Sequence, residues 1–399
     1  MMNVQPNARP VAGFRFAGVA AGIKQTAGAL DLGLIVADRP AAAAAVFTTN
    51  RVMAASVTIA RERIRRGQLQ AVAANSGCAN CFTGKAGLKL AADSCAALAR
   101  EIGCAPELVA PCSTGVIGHR YDLEKYREGM HRAADSLGRD GLPDFARAIM
   151  TTDTRPKLAS VSLRLGGAEL TVAGAAKGAG MIAPRMATLL GFIMTDAGVP
   201  ASALRSALRR AMPASFNAIT IDGDMSTNDT VILMASGAAG NRALNRRELQ
   251  VFENAIAAVS RSLARDLVHD GEGATKLVTV EVRGARSAAH ALKAARQIAN
   301  SPLVKTAFFG CDPNVGRIIG AAGASGVALD PDRLELYVGA VKIAAHGALV
   351  VDALEEAAAV MRQREFGIRL ELKLGKGSAT ILTSDLSLDY VRINAEYTT

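Results

Sequence analysis

The sequence predicts an α+β fold, with helices laid against sheets, and three observations carry that expectation. One is a long amphipathic helical stripe near the middle of the chain. Another is a pair of alternating strands joined by Gly-Gly, and the third is a similar alternating pattern that recurs near the end. In chain order, Leu88, Ala91, Cys95, Leu98 and Ile102 fall at helical spacing. Val161, Leu163 and Leu165 alternate with other residues, Gly166-Gly167 turns the chain, and Ala168–Val172 returns as the second arm of a hairpin. The apolar run Leu189–Met194 reads as a buried strand. From Asn245 to Val268 the residues Leu249, Phe252, Ile256, Val259, Leu263 and Leu267 recur every three or four positions, behind an Asn245/Glu248 start signal. Val278, Val280 and Val282 alternate as a strand. Ile368, Leu370, Leu372 and Leu374 lead through Gly375-Lys376-Gly377 into an expected second hairpin. Hairpins beside long helices favour this class over strictly alternating βαβ units, and no repeat of 20 to 50 residues is found.

The 399 residues exceed what one core ordinarily serves, so two domains or lobes are expected. Half the chain is hydrophobic and 21% is charged, which excludes a largely disordered protein. No apolar run reaches the roughly 18 residues that a membrane span needs. Arg15 interrupts the only candidate leader, so a soluble, cytoplasmic protein is expected. The net charge of +10 invites nucleic acid, but the cations are scattered and aromatics are 4% of the chain with no tryptophan, which argues against it. Of the six cysteines only Cys78 and Cys81 form a C-x-x-C pair, and no second pair completes a metal site. Buried thiols in a reducing compartment are the expectation, with no metal and no cofactor.

Four segments are rich in small and polar residues where a core would prefer apolar ones. Cys112–Gly118 (CSTGVIG) suits either an oxyanion nest or a tight turn. Thr151–Lys157 (TTDTRPK) sets hydroxyls beside charges, either for a polar ligand or as a cap. Lys177–Thr188 (KGAGMIAPRMAT) lacks the spacing of a phosphate loop and ends in a threonine at the head of the buried strand. Ser215–Thr230 carries Asp222-Gly-Asp224 and Asn228-Asp229, either as oxygen ligands without calcium-loop spacing or as a polar loop lining a site.

Together these segments resemble the ornithine acetyltransferases, the ArgJ family of arginine biosynthesis. The likeness covers essentially the whole chain. Besides the Lys177–Thr188 segment it includes Asp31-Leu, Phe47-Thr-Thr-Asn50, Asn75-Ser-Gly, Ser113–Gly118, Thr151-Thr-Asp-Thr154 and Asp222-Gly-Asp224, then Asp270–Lys276, Cys311-Asp-Pro-Asn314 and Asn394–Thr399. The resemblance implies two helix-flanked sheet layers, an αββα-like sandwich of the self-cleaving N-terminal-nucleophile type. It implies a cut between Ala187 and Thr188 into an α chain (1–187) and a β chain (188–399), assembled as α2β2. The freed Thr188 would carry acetyl from N2-acetyl-L-ornithine to L-glutamate by ping-pong transfer, with Thr114 and Gly115 as the oxyanion hole. Thr154, Lys177, Thr188, Glu272, Asn394 and Thr399 would bind substrate. Acetyl-CoA enters as a co-substrate only in members that also make N-acetylglutamate de novo.

Three positions depart from the family pattern: Arg185 before the scissile bond, Val315 in place of a usual tryptophan, and Cys81-Phe82 after Asn80. They leave room for a paralogue acting on a related acyl-amino acid. The rivals are a self-cleaving aminopeptidase or amidase, an uncleaved amino-acid-binding relative, and a basic nucleic-acid-binding protein.

Overall fold

The computed structural model describes residues 2–183 and 189–396. The chain forms two compact units, one of residues up to Asn217 together with Asp224–Leu267, the other of Ala218–Gly223 together with residues from Val268 on. The first contains β1 (Phe14–Val19), β2 (Leu32–Phe47), α1 (Ala55–Arg63), β3 (Gln68–Asn75), α2 (Gly84–Ile102), β4 (Val109–Ser113), α3 (Leu123–Asp135), α4 (Leu142–Ala148), β5 (Lys157–Leu165), β6 (Ala168–Lys177), β7 (Leu190–Thr195) and α5 (Ala201–Ala211). After β8 (Ile219–Thr220), a strand of the second unit, come β9 (Thr230–Ala235) and α6 (Arg246–His269). The second unit continues with β10 (Leu277–Ala285), α7 (Ala288–Asn300), α8 (Pro302–Phe309), α9 (Val315–Gly323), β11 (Glu335–Val338), β12 (Val341–Ala345), β13 (Ala348–Leu349), α10 (Leu354–Met361), β14 (Glu365–Glu371), β15 (Gly377–Ser384) and α11 (Leu388–Glu396). The α+β class expected from the sequence is therefore what the chain adopts.

In the first unit the sheet runs β4-β3-β2-β9-β7-β6-β5, with β1 also on β2. The β3–β4 and β7–β9 pairs are parallel and the others antiparallel. The sixteen-residue β2 serves two partners in turn: Leu32–Ala37 pair with β1, and Ala42–Phe47 with β9. Between them Asp38, Arg39 and Pro40 are exposed and the register against β3 shifts, because a proline has no N–H to give to a ladder. One face of the sheet buries Phe14, Phe16 and Phe192 against Phe145 of α4, whose ring meets Phe192 edge-on at 5.0 Å. The other buries Leu32, Leu34 and Val36 against α2 and α3, including Cys95, Leu98, Tyr126 and Met130. Leu88, at the edge of that helical face, stays 37% exposed.

Two local expectations hold. β5 and β6 form the Gly166-Gly167 hairpin, with both glycines at positive φ. At α6, Asn245 Oδ1 accepts from Arg247 N and Glu248 N while Glu248 Oε2 accepts from Asn245 N at 2.9 Å, a reciprocal cap.

The expected second hairpin does not form. In the second unit the sheet runs β13-β12-β11-β14-β10-β15-β8, so β10 separates the two strands that flank Gly375-Lys376-Gly377. It pairs parallel with β14 and antiparallel with β15. Its three valines are fully buried, which rewards a central position. The connection instead crosses the end of β10. Leu372 N and Leu374 N donate to the carbonyls of Arg283 and Gly284, and a Cβ on Gly375 would lie 2.5 Å from the Ala285 oxygen. The glycines that suggested a turn are there for close passage. Val315 opens α9 and lines an apolar cavity of about 240 Å³ with Ile319, Leu334 and Leu349.

Candidate functional site

Parallel strands β3 and β4 end side by side, Asn75 opposite Ser113, and the loops that leave them are laced together. Thr114 N donates to Asn75 O at 3.0 Å, Val116 N to Gly77 O at 3.3 Å, and Ala79 N to Val116 O at 3.0 Å. Asn75 accepts from Ser113 Oγ at 2.7 Å and donates to Cys78 O at 2.8 Å. Asn228 Nδ2 ties the loops once more, donating to Ala79 O and Ser113 O, both at 2.8 Å. Gly115 has φ +123°, and a Cβ there would stand 2.6 Å from Cys78 N. No other residue fits that place. Because the Thr114 N–H is spent on Asn75, the groups at this turn suited to an incoming oxyanion are the Thr114 hydroxyl and the Gly115 N–H.

Lys177, the last residue of β6, is buried and aims at this turn. Its Nζ donates to Thr114 Oγ1 at 3.2 Å and to Thr151 Oγ1 at 2.9 Å. An ammonium only donates, so Thr114 Oγ1 accepts and keeps its own hydrogen for another acceptor. Asp153 lies 4.0 Å from Lys177 and also binds Lys157 Nζ, Gly178 N at 2.7 Å and Thr151 N at 3.0 Å. Burial alone would raise the Asp153 carboxyl, but the charges of Lys157 and Lys177 hold it well below the usual carboxylate range. One carboxylate thus offsets two buried cations and fixes the loop after β6.

A third lysine stands nearby. The turn Ala21–Lys24 is wound around buried Asp31, which accepts from Ala21 N and Ile23 N at 2.6 Å and from Lys24 N at 2.9 Å. The Lys24 stem packs 3.0 Å from where a Gly77 Cβ would sit. Its ammonium is lowered, first by burial; Lys177 acts in the same direction, while Asp31 and Asp153 oppose it.

In the second unit, Asn394 Nδ2 donates to Glu272 Oε2 at 2.8 Å, joining α11 to the loop after α6. Cys78, Cys81, Cys95 and Cys112 are buried and all six cysteines are free. Burial raises the Cys78 thiol and pushes Cys95 up to about 12, so neither supplies a thiolate near neutral pH. Among the described residues no three His, Cys, Asp or Glu side chains gather as a metal ion would need, and no helix is long and apolar enough to cross a membrane.

The model of the ArgJ family matches residues 15–399. The chain belongs to the ArgJ family. The arginine biosynthesis bifunctional protein ArgJ of Geobacter sulfurreducens is 50% identical over 392 residues, covering 98% of this chain and all of that protein. Its counterpart in Symbiobacterium thermophilum is 47% identical and covers 97% of each chain. Among solved structures, the ArgJ of Bacillus halodurans matches with a TM-score of 0.50 at 40% identity, over 53% of this chain and all of that one.

Of the positions that the ArgJ resemblance singled out, Thr114, Gly115 and Lys177 come together in the first unit, and Glu272 and Asn394 in the second. Thr154 is on the exposed side of its loop, and it is Thr151, three residues earlier, that meets Lys177. Ala187, Thr188, Thr399 and the departure Arg185 lie outside the described residues. The junction expected at 187/188 is not the boundary between the two units, since the neighbouring strands β6 and β7 flank it within one sheet. Thr151, Asp153, Lys157 and Asn228 lie in segments that the sequence left open between a site and a cap or loop, whereas Lys24 was not singled out at all. The signal for Asp153 was its place among the hydroxyls and charges of Thr151–Lys157, and for Lys24 there was none.

Proposed function

We propose that this ArgJ-family chain is a self-processed acyltransferase of arginine biosynthesis that moves acetyl from N2-acetyl-L-ornithine to L-glutamate through Thr188. In processing, the Thr188 hydroxyl attacks the Ala187 carbonyl carbon and the acyl group shifts from nitrogen to oxygen. Water then hydrolyses the ester, leaving a chain that ends at Ala187 and one that begins at Thr188. The freed α-amine, with a pKa of about 7.7–8.0, takes the proton of its own hydroxyl as that oxygen attacks the acetyl carbonyl. Ornithine leaves with that proton, and the glutamate amine then attacks the acetyl ester and restores the threonine.

The observation that carries this reading is the bond from Lys177 to Thr114. It polarises the threonine hydroxyl beside Gly115 N–H and supplies the positive charge where a tetrahedral oxyanion would form, each donor contributing about 2.7–4 kcal/mol. The strand register adds support, because Lys177 is paired with Leu190, two residues beyond Thr188. The Bacillus halodurans chain matches 53% of this one over its whole length, the same fraction that residues 188–399 represent, 212 of 399. Thr154 and Lys177 are the proposed substrate-binding residues of the first unit, and Glu272 and Asn394 those of the second. The word "bifunctional" in the relatives' names supports acetyl-CoA as a second acetyl donor. An α2β2 assembly is the expected quaternary form.

The test is an intact mass of the purified protein under denaturing conditions, followed by an acetyl-transfer assay. Two chains, the second beginning at Thr188, with acetylornithine consumed only when glutamate is present, are expected. A single chain of 399 residues would remove the nucleophile, and acetate released without glutamate would make the chain a hydrolase.

A further inference from the structure

Lys305 is not among the groups proposed for acyl transfer, and it is 2% exposed. From α8 its Nζ donates to the Ser384 carbonyl, to Thr383 Oγ1 at 3.0 Å and to Ser384 Oγ at 3.3 Å. The Lys305 carbonyl accepts from Leu386 N at 3.2 Å. The residue therefore grips the end of β15 with both side chain and backbone. Burial lowers its ammonium to about 7, against the opposing pull of Asp385 and Asp222. An apolar side chain would fill this place at less cost, so the charged end calls for a reason beyond packing.

The residues after Ser384 supply one. Asp385 accepts from Thr275 N at 2.8 Å and Lys276 N at 2.9 Å, and Ser387 Oγ donates to Gly273 O at 2.6 Å. A Cβ on Gly273 would strike the Tyr390 backbone and lie 2.7 Å from Ser387 Oγ. The junction between β15 and α11 is thus bolted to α8 on one side and, on the other, to the loop that carries Glu272. The helix α11 buries no residue of its own, and Leu388 and Val391 are 79% and 61% exposed. Its placement depends on this junction, on Tyr390 Oη donating to Asp222 at 3.4 Å, and on Asn394 reaching Glu272.

We propose that Lys305 is a positioning residue, whose buried ammonium clamps the β15–α11 junction so that Asn394 is presented to Glu272 for substrate binding. The proposal rests on the reading of that pair as substrate contacts.

The test compares wild type with Lys305→Met and Lys305→Arg by amide hydrogen exchange and by steady-state kinetics with acetylornithine and glutamate. Losing a charge-assisted clamp should speed exchange in residues 388–396 by about tenfold and raise the KM for acetylornithine by about tenfold, with kcat little changed. The thermal midpoint should hold or rise, because a buried charge has been removed, and Lys305→Arg should recover part of the KM. Unchanged exchange in 388–396 overturns the proposal, as does an unchanged KM. A lowered midpoint with faster exchange throughout the second unit overturns it too, since Lys305 would then serve stability alone. Should Lys305→Met not fold, Lys305→Gln replaces it under the same criteria. If wild type transfers no acetyl group, the functional reading fails by itself, and the exchange result still decides whether Lys305 holds α11.

Discussion

Thr114 and Asp153 show how differently two buried polar side chains contribute. Thr114 is an acceptor for Lys177 with a hydrogen left to give, so Thr114→Ala should leave the fold intact and slow acyl transfer by about 10²–10³-fold in a single-turnover assay. Asp153 is the counter-charge for two lysines. Asp153→Asn would leave both without it and should cost about 3–5 kcal/mol in urea unfolding. The sign with pH follows from the depressed carboxyl. Its stabilisation is fully present above the unfolded value of about 3.9 and is lost as the pH falls through the lower folded value. The wild type should therefore lose stability below about pH 4 through this group, and Asp153→Asn should show a flatter acid limb. None of this was legible from Thr151–Lys157 read by itself. The partners Thr114, Lys177 and Gly178 come from other strands, and a string of hydroxyls and charges looks the same whether it caps a turn or lines a site.

At the scale of elements, legibility tracks how local the deciding interaction is. The cap of α6 involves residues three apart, and the first hairpin turns on two adjacent glycines, so both could be read directly. Asn245→Ala should cost about 1 kcal/mol, measurable as a shifted denaturation midpoint with an unchanged slope. The misread hairpin fails for the opposite reason. β10 lies far upstream of β14 and β15, and nothing in Gly375-Lys376-Gly377 announces that another strand will pass between them. Glycine marks both a turn and a close crossing, and only the positions of Ala285 and Ser287 beneath Gly375 and Gly377 distinguish the two. The same ambiguity attends Gly115: its φ of +123° and its close approach to Cys78 establish the tight turn, and the oxyanion role belongs to the proposed function.

For the whole molecule, the order β4-β3-β2-β9-β7-β6-β5 carries a consequence for the chain as it is being made. Residues up to Lys177 supply five strands of that row, but β2 and β6 are not neighbours; a gap two strands wide lies between them, filled by β7 and β9. A nascent chain halted after Lys177 has two sheet fragments with unpaired edges facing one another. The row closes only when synthesis has passed Ala235, the end of β9. Any scission at the 187/188 bond that needs the finished sheet must therefore wait for at least 48 further residues beyond Ala187, 235 less 187. The two products would then share one sheet from birth, β9 and β7 of the second held as a pair between strands of the first, and neither could be supplied later by a separately translated copy without reopening the sheet.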